Sequence, residues 1–288
     1  MIMKPGIYDI DAETYFADPC PVPSLSASIA RKLVRQSPLH AWHAHSRLNT
    51  AGGNDFASDA ADMGTILHKL LLGKGGDIVT IDAADFRTKD AKQARDDARA
   101  AGKTPILAHK LDALHECAVA ARRQIMAHPD GAILFEPGRA EHAMIWQEGP
   151  TWCRSLVDFM PDDPALPFVD IKTTGMSAAP GEWERRLVTE YALQAAFYER
   201  GGRKLGRTSR AGMLFIVIEC EAPFGVSVMC AAPSLRMVAD YEIEQAIAKW
   251  ADCVLRDQWP GYPAHTAHID APQWKLNQME YAQMEAAE

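Results

Sequence analysis

The sequence contains no run of about 18 apolar residues, so nothing in it reads as a bilayer-spanning helix. The opening MIMKPGIYDID also lacks the long apolar segment of a secretory signal, and a cytoplasmic protein is expected. Six cysteines are scattered without a C-x-x-C pair, which argues against a zinc ribbon and supplies no disulfide framework; core thiols are expected. Cations are in the minority, with 30 Lys and Arg against 38 Asp and Glu and a net charge of −8. That balance speaks against a uniformly basic surface of the kind that coats nucleic acid. Internal repeats and low-complexity segments are absent as well.

What is present is a chain of 288 residues with 48% apolar content, enough for one sizeable domain with a genuine core. Residues 1–24, with Pro5, Pro19, Pro21 and Pro23, read as a surface-hugging arm. A mainly helical part follows over 25–135, a sheet-bearing core over 136–252, and an irregular, proline-containing tail over 253–288. Within these limits the pattern predicts a capped helix from Ser24 that Pro38 interrupts, then a loop over 49–62. A short helix through Ile66, Leu67, Leu70 and Leu71 comes next, followed by a strand IVTI. Helices over about 90–101 and 106–127 precede three strands in a meander, one long helix from Gly181, two more strands, and a last helix to about Asp252.

The informative stretch is Leu156–Thr174, LVDFMPDDPALPFVDIKTT: two short β-branched runs, each holding one aspartate, joined by a turn rich in Pro and Asp. In the second run the side-chain period of two puts Asp170 and Lys172 on one face while Val169 and Ile171 enter a core. If the hairpin pairs in a suitable register, Asp158 comes alongside Asp170. Two carboxylates that close repel unless a cation sits between them, and oxygen ligands of this kind suit Mg²⁺ or Mn²⁺. The pattern points to metal-assisted phosphate chemistry.

Other candidates are open to two readings. Arg31, Lys32 and Arg35 form either a solvated helix side or, with Ser26 and Ser28 at the helix start, a phosphate site. His68 is a lone histidine on a helix. Glu141 reads as a solvent-facing strand residue in preference to a member of the carboxylate pair. Tyr191, Gln194 and Tyr198 share one helix stripe, directly after the Asp170 strand. Arg203, Lys204, Arg207 and Arg210 make a basic segment that is either a solvated loop or a track for a phosphate backbone, and Thr173 and Thr174 are further candidates for DNA contact.

Taken in order, His68, Asp158, Asp170-Ile171-Lys172, Gln194 and Tyr198 resemble the PD-(D/E)XK nuclease superfamily, in the branch of the RecB nuclease domain, lambda exonuclease and the RecE-like exodeoxyribonuclease VIII. The opening PGIYDIDAETYFADP, the SLSAS helix start and the WPGYP tail extend the similarity over nearly the whole chain. It departs from the motif in having Val157 before Asp158 and an aspartate as the second acid. The resemblance implies an α/β (α+β) fold, a central mixed β-sheet flanked by helices with a restriction-endonuclease-like core. It also implies Mg²⁺, replaceable by Mn²⁺, held by His68, Asp158, Asp170 and the carbonyl of Ile171. Lys172 would position and help deprotonate water, with Gln194 and Tyr198 supporting the lysine and the substrate phosphate. The expected activity is exonucleolytic hydrolysis of linear double-stranded DNA, 5′ to 3′, leaving 3′ overhangs for recombination. Expected partners are duplex DNA ends, further copies in a trimeric or tetrameric ring, and a single-strand annealing protein. The alternatives are a non-catalytic DNA-binding recombination accessory protein and an endonuclease of the same fold.

Overall fold

The computed structural model describes residues 1–50 and 58–285. Of the loop expected over 49–62, residues 51–57 lie outside this range, and the next helix already starts at Asp59. The N-terminal part runs through β1 (Gly6–Tyr8), α1 (Ala12–Phe16), β2 (Leu25–Ser26), α2 (Ala27–Arg35) and α3 (Pro38–Ala44). Pro38 sits in the first turn of α3, where its missing N–H costs nothing, so the proline that ends one helix starts the next. After α4 (Asp59–Leu72) comes a small unit of β3 (Ile78–Ile81), α5 (Lys89–Ala100) and β4 (Thr104–Leu107), in which the two strands pair in parallel. The sequence reading missed β4 because TPIL becomes a strand only against β3. Arg99 ties α5 to the first turn of α4 through Asp62 at 2.5 Å and Asp59 at 3.3 Å.

Next come α6 (Ala108–Ala127), β5 (Gly138–Glu148), β6 (Thr151–Pro161) and β7 (Val169–Thr174), the last three forming the expected antiparallel meander. Then α7 (Pro180–Arg186), a single π turn over Leu187–Tyr191 and α8 (Ala192–Lys204) carry the chain over to β8 (Leu214–Glu219), which lies parallel to β7. The long helix expected from Gly181 is thus interrupted by one wider turn. β9 (Val226–Met229) pairs antiparallel to β8, and α9 (Pro233–Arg256) follows. The result is a mixed seven-stranded sheet in the order β1-β5-β6-β7-β8-β9, with β2 beside β6.

Helices cover both faces. One core joins α2, α8 and α9 through Leu33, Phe197, Ile243 and Trp250 to Trp146, Val157 and Phe215 of the sheet. The other joins α4 and α6 through Leu67, Cys117 and Ile125 to Val169, Ile171 and Ile216. Gly201 permits the first contact to be close, since a Cβ there would meet the Trp146 ring at 2.8 Å. No helix among the described residues is long and apolar enough to cross a membrane.

Both ends of the chain correct the sequence reading. Part of the expected arm is an edge strand, with Ile7 opposite Met144, and the arm also buries a carboxylate. Asp18, fully buried, accepts from Ser24 Oγ at 2.7 Å and Ser24 N at 2.8 Å, and lies 3.3 Å from Arg154 and 3.4 Å from His45. The tail is not irregular throughout: α10 (Gln273–Glu285) is helical, with Trp274, Tyr281 and Met284 exposed.

The Asp18 cluster has a pH signature. Burial alone would raise this carboxyl, but His45, Arg154 and Ser24 outweigh it and hold the group down to about 2. A folded-state value below the unfolded one contributes stability that is present above about pH 4 and lost as pH falls toward 2; the difference corresponds to about 2 kcal/mol. Asp18→Asn is expected to lose this contribution and to flatten the acid limb of the stability curve. Urea unfolding at pH 7 and pH 3 checks it: a midpoint gap between the two proteins as wide at pH 3 as at pH 7 contradicts the assignment.

Candidate active site

β6 and β7 are joined by one bridge, Phe159 opposite Val169. One step on, Asp158 and Asp170 face each other, and there a side chain replaces the ladder: Asp158 Oδ2 accepts the Ile171 N–H at 2.8 Å. The strands separate at this point, and the carboxylate is fixed in the split.

His68 reaches the same point from α4. One turn earlier, Gly64 lies so near β7 that a Cβ would stand 3.1 Å from Thr173 Oγ1, so a bulkier residue would lift the helix and its histidine off the strand. His68 Nε2 donates to the Ile171 carbonyl at 2.8 Å, while Nδ1 faces Asp158 Oδ2 at 3.7 Å and Glu141 Oε1 at 3.9 Å. Burial works against a charged imidazole here, but Asp158, Glu141 and Asp170 together hold it up to about 9. These acids favour the charged ring, and a metal taking Nδ1 would displace its proton.

Glu141 overturns its reading as a solvent-facing residue. It sits in the middle of β5 with φ at +53°, a left-handed conformation that is strained for a residue other than glycine. The ligand atoms of His68, Glu141 and Asp158 lie within 4.8 Å of one another, the one such group among the described residues. Glu141→Gly is expected to remove the strain and one like charge, raising stability by about 1 kcal/mol while weakening divalent-cation binding. Thermal unfolding and calorimetric titration with Mn²⁺ check the two halves; a variant with wild-type Mn²⁺ affinity returns Glu141 to solvent.

Beside this group, Asp170 is buried and fully engaged. Gln194 Nε2 donates to its Oδ1 at 2.6 Å, and Lys172 Nζ stands 2.5 Å from its Oδ2. The ammonium is thus the charge partner of Oδ2. Burial pushes the Asp170 carboxyl above the ordinary range, with Lys172 pulling down and Asp158 pushing up. Burial opposes the charge on Lys172 too, but Asp170 and Asp158 raise it on balance, and the Tyr191 ring lies 5.0 Å under the ammonium. Tyr191 in turn stacks on Trp183 at 5.7 Å, and it closes the π turn that aims it at the lysine. Tyr198 donates to the Leu156 carbonyl at 2.9 Å, so its hydroxyl braces β6 and is not spent on Lys172.

The DNA-contact candidates divide. Ser26, Ser28 and Arg31 line a cavity of about 220 Å³ together with Gln194 and Tyr198. Thr173 and Thr174 stay on β7, the latter accepting from Met176 N at 3.0 Å. Arg203, Lys204 and Arg207 are not near the site: nine residues of helix carry Arg203 about 13 Å along α8 from Gln194. Arg207 has another job, donating to the carbonyls of Pro161, Asp163 and Leu166 at 2.9–3.0 Å and lying over Phe168. Lys204 faces Glu148 at 3.5 Å, and Arg203 faces Asp240 at 3.6 Å.

A hard divalent cation fits what is present. Three carboxylates crowd one histidine and one lysine, and the donor set is mainly oxygen with one nitrogen, as Mg²⁺ and more readily Mn²⁺ accept. Asp158, Glu141 and His68 converge; Asp170 stands next to them, and the Ile171 carbonyl is engaged by His68. A mixed sheet with acids at the split between two strands and an Asp-x-Lys on the second places the molecule in the PD-(D/E)XK fold class. The chain belongs to the family described as PDDEXK-like domain of unknown function (DUF3799), whose model matches residues 31–272. No curated protein matches it in sequence. Among solved structures, it is similar to a protein from Eubacterium rectale named as a putative exonuclease, at 13% identity and a TM-score of 0.56, over 92% of this chain and 96% of that one. At that identity the likeness concerns the fold.

Proposed function

We propose that the protein is a divalent-metal-dependent deoxyribonuclease that degrades linear duplex DNA from its ends. The observation that carries this reading is the convergence of His68, Glu141 and Asp158 beside the Asp170–Lys172 pair. His68, Glu141 and Asp158, with Asp170 adjoining, would hold the cation. Once bound, it would polarise a phosphoryl oxygen, favour hydroxide over water and stabilise the leaving 3′ oxygen. The chain's own groups do the rest. Lys172, an ammonium against Asp170, donates hydrogen bonds to the attacking water and to a non-bridging phosphate oxygen, where developing negative charge strengthens them. Gln194 keeps Asp170 in place, Tyr191 confines the lysine from below, and Ser26, Ser28 and Arg31 receive the neighbouring phosphate in the adjoining cavity. The water oxygen bonds to phosphorus as its proton passes to solvent, the P–O3′ bond breaks, and the 3′ oxygen takes up a proton from solvent.

The finer reading is an exonuclease working 5′ to 3′ and leaving 3′ overhangs for recombination, assembled as a symmetric trimer or tetramer and working with a single-strand annealing protein. The deciding experiment is digestion of a linear duplex labelled at either end, carrying 5′-phosphate or 5′-hydroxyl, beside a covalently closed circle, with and without EDTA. Metal-dependent loss of one end label with the circle intact supports the reading. A nicked circle turns it to an endonuclease, and DNA bound but intact in Mg²⁺ and Mn²⁺ turns it to an accessory protein.

A further inference from the structure

A wide groove lies outside the site just described. It has a volume of about 570 Å³ and runs between α2, the π turn and α9. Along one wall stand Arg31, Lys32 and Arg35; Val188, Leu235 and Val238 supply apolar surface. It adjoins the smaller cavity at Gln194 and Tyr198, with the Arg31–Glu190 ion pair lining both.

We infer that this groove is a track for a single-stranded stretch of nucleic acid continuing from the metal-site cavity, with Glu190 and Glu242 occupying the places that two phosphates take. The inference rests on the nuclease reading for its direction, not for its chemistry. Glu190 accepts from Arg31 at 3.1 Å, and Glu242 accepts from both guanidinium nitrogens of Arg35 at 2.6 and 2.8 Å, the two-point geometry in which arginine holds phosphate. Both arginine side chains are 39% exposed, and the Arg31–Glu190 pair, with Glu190 43% exposed as well, contributes little and exchanges easily. Arg31 and Arg35 are one turn apart on α2, so successive anionic groups can engage them along one line. Among the described residues no carboxylate pairs with Lys32, which leaves the groove with three cations against two anions. Cations along one wall with the apolar side chains of Val188, Leu235 and Val238 across from them suit a strand whose bases are unpaired, since an unstacked base can lie on that surface while its phosphate faces the cations. A duplex hides its base faces.

The test is fluorescence anisotropy of a labelled 12-nucleotide single strand in EDTA, across a salt series. Lys32→Ala with Arg35→Ala is expected to weaken binding by about tenfold and to reduce the salt slope by about 1.4, as two phosphate contacts are lost. Glu242→Gln is expected to tighten binding, an outcome that a damaged fold does not produce. Unchanged strand affinity in both variants overturns the inference, as does a groove that takes an acidic peptide in preference to the strand. The nuclease reading is scored apart, by metal-dependent hydrolysis in the wild type. Strand binding that responds to the groove variants in a protein that never cuts keeps the groove and sinks the nuclease.

Discussion

Asp158→Asn and Asp170→Asn are each expected to lower metal-dependent DNA hydrolysis on the order of 10³-fold or more while the fold survives. The amide is the informative replacement at both positions. At 158 its oxygen can still take the Ile171 N–H that fixes the split between β6 and β7, and at 170 it can still accept from Gln194. What changes is charge. Removing one member of a facing carboxylate pair also relieves repulsion, so the thermal midpoint of the metal-free variants should not fall by more than a few degrees. Asp170→Asn leaves the Lys172 ammonium without its counter-ion, but that side chain is 22% exposed and water can reach it. Rates measured in Mg²⁺ and Mn²⁺ beside unfolding curves decide the matter, and wild-type cutting by either variant removes these aspartates from the chemistry.

The pair was legible in the sequence because a strand has a period of two and a short turn fixes which residues meet. The same reasoning, carried one strand further, would have found Glu141. The tight Gly149-Pro150 turn sets Glu148 opposite Thr151, and counting seven residues back along each strand brings Glu141 opposite Asp158. An acidic residue on an amphipathic strand has an easy reading as solvent-facing, and its left-handed backbone leaves no mark in composition. Gln194 was visible as a polar residue in a stripe that has to look back at the preceding strand. Tyr198 shares that stripe, yet its hydroxyl goes to a backbone carbonyl, and sequence does not say which carbonyls lack donors. Arg207 shows the same gap: three carbonyls of the β6–β7 turn await a guanidinium, and nothing in RGGRKLGRTSR announces it. The sheet order was legible as far as contiguous strands go. β4 and β1 were not, because short strands of this kind exist only through a partner far along the chain.

Lys172→Ala is expected to reduce turnover by about 10²-fold or more, the range for a positioned acid–base or electrostatic group. The notion of Lys172 as a general base meets a difficulty in the geometry: its charge is favoured by Asp170 and Asp158, so it holds its proton through the neutral range and acts first as a donor. The consequence reaches Asp170. With the ammonium gone, burial and Asp158 act on that carboxyl with one opposing charge fewer, and its proton is held to still higher pH. A neutral acid is a poor cation ligand, so Lys172→Ala should lose Mn²⁺ affinity at the acid end of the pH range and regain it as pH rises. Lys172→Arg, which restores the charge without the compact donor, should keep the affinity and not the rate. Calorimetric Mn²⁺ titrations from pH 5.5 to 8.5, run beside turnover, separate the two roles: an alanine variant that binds Mn²⁺ as poorly at pH 8.5 as at pH 5.5 makes the lysine a prop for the site and not a participant in the reaction.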